Sequence, residues 1–318
     1  MRATMKKLFR AGVTMVLPLA LVATTTAAAQ PLPQPASGRV ERLADFPSKN
    51  VAPRHVDVWL PADYSDAKRY AVVYMMDGQM LFDARLTWNR QAWAADAALA
   101  RLVKDGKAPD TLIVGVWNGG DQRYAEYFPQ KVLAAAPTTV RHEYVSKAQN
   151  GRAQADAFLR FVVEELKPAI DRRFSTRAGP RDTFVVGSSM GGLIALYALC
   201  EYPQVFGGAA ALSAHWVGVP TAWGEARLRN AALPLAMLNY LAVQLPGPGR
   251  HRVWVDRGSD ALDSLYAPAL GVFGDLLHER GYTAADGIAK VYEGSGHNER
   301  DWAARLEEPL QFLLAPRR

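Results

Sequence analysis

The segment around Ser189 constrains the fold of this chain more than any other part of the sequence. Residues 183–186 are apolar or β-branched and predict a short buried strand. The pattern Gly187-x-Ser189-x-Gly191 then predicts a sharp turn, and residues 193–200 predict a helix. A serine at a strand-to-helix turn is held out into the site, because the flanking glycines allow a close backbone approach. We therefore predict that Ser189 is a nucleophile, the alternative being a plain glycine-rich turn.

Apolar runs alternate with helical patterns along the rest of the chain. This alternation is typical of an α/β fold with a mostly parallel sheet and helices on both faces. Strands are expected at 54–60, 71–76, 112–116, 183–186, 209–212, 252–255 and 289–292, with a weaker edge strand near 38–43. Helices are expected at 88–104, 153–170, 265–280 and 298–314.

The segment between the strands that end at 212 and begin at 252 is long and contains two short helical patterns, at 222–229 and 235–243. In an open α/β sheet, an insertion at the carboxyl ends of the strands would cover a pocket. The alternative is a helix that packs on the sheet.

Residues 1–29 have the composition of a secretory signal peptide. Basic residues precede an apolar stretch at 11–23, and the alanines at 27–29 offer a cleavage site. The apolar stretch is short and contains Pro18, so it does not predict a membrane span, and an uncleaved anchor is the alternative. We expect a periplasmic or secreted protein without stable membrane insertion, with a proline-rich leader at 30–38 and a single domain at 39–318.

Charge and cysteine content exclude several classes of function. The chain has 37 basic and 31 acidic residues, but the excess lies largely in the expected signal peptide, so no clustered basic face for nucleic acid is predicted. Cys200 is the only cysteine, which excludes an intrachain disulfide and predicts a small buried apolar residue. No spacing of His, Asp or Cys residues predicts metal ligands, so neither a metal nor an organic cofactor is expected.

A serine nucleophile needs a base and an acid, which follow it along an α/β-hydrolase chain in the order acid, then histidine. His297 follows a late strand through the glycine-bearing loop 293–297 and precedes the last predicted helix, so we predict that it is the base. His215 follows the strand after the nucleophile, next to Trp216, and both are candidates for the wall of a substrate pocket. The sequence positions of His55, His251 and His278 suit structural or solvent-facing roles.

Three carboxylates compete for the role of the acid after the strand at 252–255. Asp260 and Asp263 lie beyond Gly258, where an acid-bearing loop is expected, and Asp263 is favoured with Asp260 as the alternative. Asp256 is expected to remain at the strand end and to brace the turn. The two residues that are not the acid are expected to cap a helix or to accept hydrogen bonds in a turn.

An oxyanion hole needs two backbone N–H donors. We predict the amide of Met190, at the start of the helix after Ser189, and the amide of Gln79, in the loop after the strand at 71–76. Gly78 permits the turn that the second donor requires, and the alternative for Asp77-Gly78 is an ordinary turn.

Four motifs together resemble the esterase family of α/β-hydrolases that includes enterobactin-type siderophore esterases, feruloyl esterases, S-formylglutathione hydrolases and mycolyltransferases. The resemblance covers about residues 40–315. The motifs are residues 74–79 with Phe82-Asp83, residues 115–118 with Arg123, Glu126-Tyr127 and Pro129, residues 186–192, and residues 296–299 with Trp302.

The resemblance implies Ser189 as nucleophile, His297 as base and Gln79 as donor. Many relatives carry the acid three residues after the glycine of a Gly-Thr-x-Asp loop, a position that Ala261 occupies here, so the resemblance leaves Asp260 and Asp263 both open. Arg123 matches a family Arg-x-x-Glu pattern, either as a substrate contact or as an ion pair with Glu126.

These observations predict an exported serine hydrolase that cleaves small-molecule or carbohydrate-linked carboxylic esters through an acyl-enzyme. An acyltransferase that passes the same acyl group to an alcohol is the alternative, followed by a binding protein on a hydrolase scaffold. Aromatic residues expected near the pocket mouth are Trp88, Trp117, Tyr124, Trp216 and Trp223.

Overall fold

A computed structural model describes residues 30–316 of the chain. The chain divides into the units Met1–Pro31 and Leu32–Arg318, and the second unit carries the fold described below. The expected signal peptide at 1–29 lies outside the described residues. Among the helices of residues 30–316, none is both long enough and apolar enough to cross a membrane.

The second unit is built on a sheet whose described strands run in the order β1-β2-β4-β3-β5-β6-β7-β8. β1 and β2 are antiparallel to their neighbours, and all the other pairings are parallel. The strands are Arg39–Phe46 (β1), Arg54–Leu60 (β2), Ala71–Met76 (β3), Thr111–Val116 (β4), Thr183–Ser188 (β5), Gly208–Leu212 (β6), Arg252–Gly258 (β7) and Gly287–Tyr292 (β8). The expected α/β class with a mostly parallel sheet is confirmed.

Helices cover both faces of the sheet, because successive strand residues point to opposite sides. In β3, Val72 and Tyr74 join one apolar core, whereas Val73 and Met75 join the other. The helices are Ala95–Lys104 (α1), Arg123–Tyr127 (α2), Gln130–Ala135 (α3), Thr138–Ala148 (α4), Ala155–Arg160 (α5), Lys167–Arg173 (α6), Met190–Glu201 (α7), Glu225–Leu228 (α8), Ala232–Gln244 (α9), Ala267–Glu279 (α10), Glu299–Arg305 (α11) and Glu307–Leu314 (α12). Helices α1, α11 and α12 supply the core that contains Val73, and α2–α7, α9 and α10 supply the other.

Several helix bounds differ from the expected ones. The helix expected at 88–104 begins only at Ala95, because Ala94 has a left-handed backbone with φ 48° and the Trp93 N–H donates to the carbonyl of Met80. The helix expected at 298–314 is divided at Leu306 into α11 and α12. The helix expected at 153–170 contains a π-helical segment, Phe161–Leu166, between α5 and α6.

The insertion before β7 does not form the roof that one interpretation of the sequence predicted for it. Helix α9 packs on α3, α7 and α10 and buries Leu233, Met237 and Leu241. It is a packing helix, as the alternative predicted, but its main contacts are with other helices and not with the sheet. Thr221, at the start of the insertion, reaches the rim of the cleft described below.

The parallel strands bring the predicted site residues to one edge of the sheet. Carboxyl ends of parallel strands meet at the same edge, so the loops that follow them are neighbours. Ser189 follows β5, Asp263 follows β7 and His297 follows β8, while Gln79 follows β3. The same edge receives His215 after β6.

Candidate active site

Ser189 occupies a strained turn between β5 and α7. Its backbone angles are φ 54° and ψ −125°, a combination that residues with a side chain rarely adopt and that costs conformational energy. A Cβ at Gly187 would lie 2.2 Å from the carbonyl oxygen of Gly191, so the turn requires glycine there. The strain and the required glycine together describe a turn that presents the serine side chain at the edge of the sheet.

A hydrogen-bonded series joins Ser189, His297 and Asp263. His297 Nε2 lies 2.9 Å from Ser189 Oγ, and His297 Nδ1 lies 2.6 Å from Asp263 Oδ1. Asp263 is fully buried, and its second oxygen accepts hydrogen bonds from the Gly258 N–H at 2.6 Å and from the Ser213 hydroxyl at 2.5 Å. Both oxygens of this carboxylate are therefore held by hydrogen bonds, one at Oδ1 and two at Oδ2.

The other two candidate acids are held elsewhere. Asp260 is exposed and accepts a hydrogen bond from the neighbouring Ser259 hydroxyl, so the structure does not bring it to His297. Asp256 lies in β7 and pairs with Arg305, with 3.0 Å between Oδ1 and a guanidinium nitrogen. Of the three carboxylates, the geometry places Asp263 on His297.

The surroundings of Asp263 favour its ionised form. Burial by itself would raise the pKa of a carboxyl group. The hydrogen bond and charge of His297, together with the donors Ser213 and Gly258, outweigh burial and hold the pKa of Asp263 below its ordinary value. The residue therefore provides a fixed negative charge beside the imidazole.

Two backbone amides lie unpaired at the predicted oxyanion site. Met190 is the first residue of α7, and Gln79 lies in the short 3-10 helix Gly78–Met80. Within residues 30–316, neither N–H donates a hydrogen bond to another group. The first N–H groups of a helix lack intrahelical partners, so both amides are available to an oxyanion.

The loop that carries Gln79 is held by Asp77. Asp77 has a left-handed backbone with φ 55°, and its carboxylate receives two bonds of 2.7 Å from Arg123 and one of 2.6 Å from Asn118 Nδ2. A Cβ at Gly78 would lie 2.4 Å from the backbone of Gly115, which requires glycine at this close approach. Asp77 was interpreted from the sequence only as part of a turn, and its role as the anchor of the loop was missed.

Arg123 lines the cleft, and of its two predicted roles the ion pair with Glu126 is not found among the described residues. Glu126 instead pairs with Arg54, with 2.6 and 2.7 Å between their charged atoms, and both side chains are buried. Arg123 pairs with Asp77, and its other predicted role, a contact with substrate, stays a prediction.

His215 and Trp216, the two predicted wall residues, occupy different places. His215 lines the cleft and is buried, with Nδ1 2.5 Å from the Tyr266 hydroxyl and Nε2 2.8 Å from the Val219 carbonyl oxygen. Burial lowers the pKa of His215 to about 3, so the ring is neutral. Trp216 packs on Phe273 and lines a separate apolar cavity of about 320 Å³, so its predicted contact with substrate in the cleft is not found.

The cleft above Ser189 has a volume of about 720 Å³ and a lining that mixes polar side chains with apolar and aromatic ones. Of the five aromatic residues expected at its mouth, Trp88 and Tyr124 line it, and Trp88 is 84% exposed. Glu299 lines the cleft and accepts a 2.6 Å hydrogen bond from Asn89. Glu299, Asn118 and Asn298 stand in the motifs of the resemblance but had no predicted role, and Asn89 and Gln91 were missed in the sequence. Within residues 30–316, no group of three or more His, Cys, Asp or Glu side chains is arranged to hold a metal ion.

Comparisons with known proteins bear on the family and the fold of this chain. A family model described as "Putative esterase" matches residues 51–313. A ferulic acid esterase structure is 19% identical, with a TM-score of 0.60, and the match covers 87% of this chain and 98% of that one. An IroE-like serine hydrolase from Shewanella oneidensis is 20% identical, with a TM-score of 0.59 and coverage of 87% and 80%. The enterobactin esterase of Shigella flexneri is 18% identical, with a TM-score of 0.57, and the match covers 88% of this chain but 60% of the esterase.

Proposed function

The chain belongs to the Putative esterase family and is a carboxylic ester hydrolase, and from this premise we propose that Ser189, His297 and Asp263 form its catalytic triad. The observation that carries the proposal is the continuous series from the buried Asp263 carboxylate through His297 to the Ser189 hydroxyl. The series ends in a cleft beside two unpaired amides, the arrangement that acyl transfer through serine requires.

The reaction proceeds in two halves through an acyl-enzyme. His297 Nε2 takes the proton of Ser189 as its Oγ attacks the ester carbonyl, and the Asp263 carboxylate stabilises the imidazolium that forms. The N–H groups of Met190 and Gln79 donate to the oxyanion of the tetrahedral intermediate. His297 then protonates the leaving alcohol, and in the second half a water molecule, activated by the same imidazole, releases the acid.

The cleft suits a small-molecule or carbohydrate-linked ester. Polar side chains in its lining can form hydrogen bonds with a substrate, and the exposed ring of Trp88 is a flat apolar surface at the rim. Two of the similar structures are named for ferulic acid and enterobactin, so aromatic esters are the first substrates to test. On the composition of residues 1–29, the protein acts in the periplasm or outside the cell.

Hydrolysis of p-nitrophenyl acetate by the wild type and by Ser189→Ala tests the proposal. We expect the substitution to lower kcat by about 10⁴-fold or more, since removal of a serine nucleophile leaves only the contribution of binding and the oxyanion hole. A fluorophosphonate should label the wild type at Ser189 and leave Ser189→Ala unlabelled. Ser146→Ala, at an exposed position of α4, is the matched control, with unchanged turnover.

Persistent turnover by Ser189→Ala, or labelling of a different serine, would contradict the proposed triad. Product that forms only when an alcohol is added would instead identify an acyltransferase that uses the same acyl-enzyme.

A further inference from the structure

A buried polar cluster lies beside Oδ2 of Asp263, the carboxylate oxygen that is not bonded to His297. It consists of Ser213 from the end of β6, Asp256 from β7, and Trp302 and Arg305 from α11. Ser213 has a left-handed backbone with φ 46°, and its N–H donates to Asp256 Oδ1 at 3.2 Å. Three elements of the fold therefore converge on the face of Asp263 that His297 does not occupy.

The two hydrogen bonds that the Ser213 hydroxyl oxygen accepts leave one direction in which its proton can point. The Trp302 indole N–H donates to Ser213 Oγ at 2.9 Å, and an Arg305 guanidinium N–H donates at 2.8 Å. A hydroxyl oxygen accepts through two lone pairs and has one proton to donate. With both lone pairs taken, that proton points to Asp263 Oδ2, 2.5 Å away.

Asp256 and Arg305 form the charged part of the cluster. Asp256 receives bonds from Arg305 Nε at 3.2 Å, from a terminal Arg305 nitrogen at 3.0 Å and from the Trp254 indole at 2.9 Å. Each of these groups donates a hydrogen bond, and an ionised carboxylate can only accept. The same guanidinium lies 4.0 Å from Asp263 Oδ2. Two carboxylates and one guanidinium thus leave a single uncompensated negative charge beside His297.

We propose that Ser213, Asp256 and Arg305 are positioning residues for the triad acid. Ser213 fixes the orientation of the Asp263 carboxylate, while the Asp256–Arg305 pair sets the net charge against which the His297 imidazolium forms. Without Asp256, the positive charge of Arg305 would neutralise Asp263 and disfavour the imidazolium. This inference rests on the proposed function of Ser189, His297 and Asp263.

The other charged or titratable groups around the imidazole have partners outside the cluster. Both ring nitrogens of His215 are engaged, and Asp77 and Arg123 form a closed pair across the cleft. The Arg305 guanidinium also lies over the Tyr292 ring, 5.0 Å from its centroid. Further titratable neighbours among the described residues are Tyr266, in the 3-10 helix Ala261–Tyr266, and Glu299 and Asp301 of α11.

The test is the pH dependence of kcat/KM for p-nitrophenyl acetate in a charge-balanced pair of variants. We expect Asp256→Asn to move the acidic limb of the profile to lower pH by about one unit, because it leaves Arg305 opposite Asp263. The double variant Asp256→Asn/Arg305→Gln removes both charges and should return the limb to within a few tenths of a unit of the wild-type position. A purely structural role would give further loss in the double variant and no return.

Ser213→Ala gives a second readout that does not depend on the charge pair. We expect it to lower kcat by about 10- to 100-fold with little change in KM, since the orientation of the acid matters only as the imidazolium forms. Circular dichroism of each variant confirms that the fold measured is the native one.

The two proposals fail in distinguishable ways. A wild type without Ser189-dependent turnover would overturn the proposed function. An active wild type whose acidic limb stays in place in Asp256→Asn, or does not return in the double variant, would overturn the positioning role alone. Full kcat in Ser213→Ala would likewise overturn the role of Ser213.

Discussion

Asp263 and His297 come from loops after neighbouring parallel strands, and 2.6 Å separates Oδ1 of one from Nδ1 of the other. We expect Asp263→Asn to lower kcat by about 10⁴-fold, because an amide in this position favours the wrong tautomer of the histidine and cannot stabilise its charged form. Steady-state hydrolysis of p-nitrophenyl acetate measures the effect.

Asp260→Asn is the matched control for this prediction, since it removes a carboxylate three residues earlier in the same loop. The Asp260 side chain accepts a hydrogen bond from Ser259 and none from His297, so the activity of Asp260→Asn should equal that of the wild type. A large loss of activity in Asp260→Asn, with activity retained in Asp263→Asn, would identify Asp260 as the acid and contradict the proposed triad.

The turn that presents Ser189 should tolerate no side chain at Gly187. A Cβ there would lie 2.2 Å from the Gly191 carbonyl oxygen, so we expect Gly187→Ala to be inactive and destabilised or insoluble. Gly271→Ala is the control, because Gly271 lies in α10 with no atom within 4 Å of the added Cβ. Alanine in a helix should stabilise the control by about 0.5–1 kcal/mol, measured by urea unfolding. Normal activity in Gly187→Ala would contradict the required close approach.

The sheet, and the meeting of Ser189 with His297 at its edge, could be predicted from the sequence because the signals for them are local. A strand, a glycine turn and a helix around Ser189 stand within a few residues of one another, and His297 stands in a glycine loop after a strand. Buried parallel strands appear as short apolar runs, which is why β3 to β7 were expected near their observed positions. The antiparallel edge strand β1 is only partly buried, and its signal in the sequence is weaker. The choice between Asp260 and Asp263 remained open because both stand after the same glycine, and only the path of the loop decides which one faces His297.

The parts that could not be predicted depend on contacts distant in sequence. Helices α2 and α3 have only five and six residues, too few to show a helical period. Helix α4 is longer but has no clear apolar stripe, so helical periodicity gives no signal there either. The partner of Arg123 is Asp77 in another loop, which no spacing within α2 reveals. Trp216 follows His215 directly, yet adjacent residues of this loop face opposite sides, one the cleft and one the core.

The buried pair Arg54–Glu126 should be a stability element without a role in the chemistry. Glu126→Gln leaves the Arg54 guanidinium buried with no opposing charge, so we expect the free energy of unfolding to fall by about 3 kcal/mol. Glu225→Gln, which removes the exposed partner of Arg229, should change it by less than about 0.5 kcal/mol. Urea denaturation measures both, and kcat of the folded Glu126→Gln protein should stay at the wild-type value.

A specific loss of kcat in Glu126→Gln at a temperature where it remains folded would contradict this separation. It would mean that the pair acts on the cleft through Gly119, whose added Cβ would lie 2.8 Å from a Glu126 oxygen.

His215 should make the fold sensitive to acid. Its ordinary pKa is 6.5, and burial lowers the pKa in the folded protein to about 3. Between these values the unfolded chain binds a proton that the folded protein does not, so stability rises with pH over this window and is lost as the pH falls through it. The contribution of this one group is about 1.4 kcal/mol for each pH unit below about 6.5.

His215→Gln keeps a donor for the Val219 carbonyl and an acceptor for the Tyr266 hydroxyl, but cannot titrate. We expect the variant to be less stable than the wild type near pH 7.5, with a smaller loss of unfolding free energy between pH 6.5 and 4.5. Urea unfolding at a series of pH values measures the difference between the two proteins, which removes the contribution of every other group they share. His278→Gln, on the exposed side of α10, is the control. Parallel stability curves for His215→Gln and the wild type would show that His215 takes up a proton in the folded protein, which its two buried hydrogen bonds argue against.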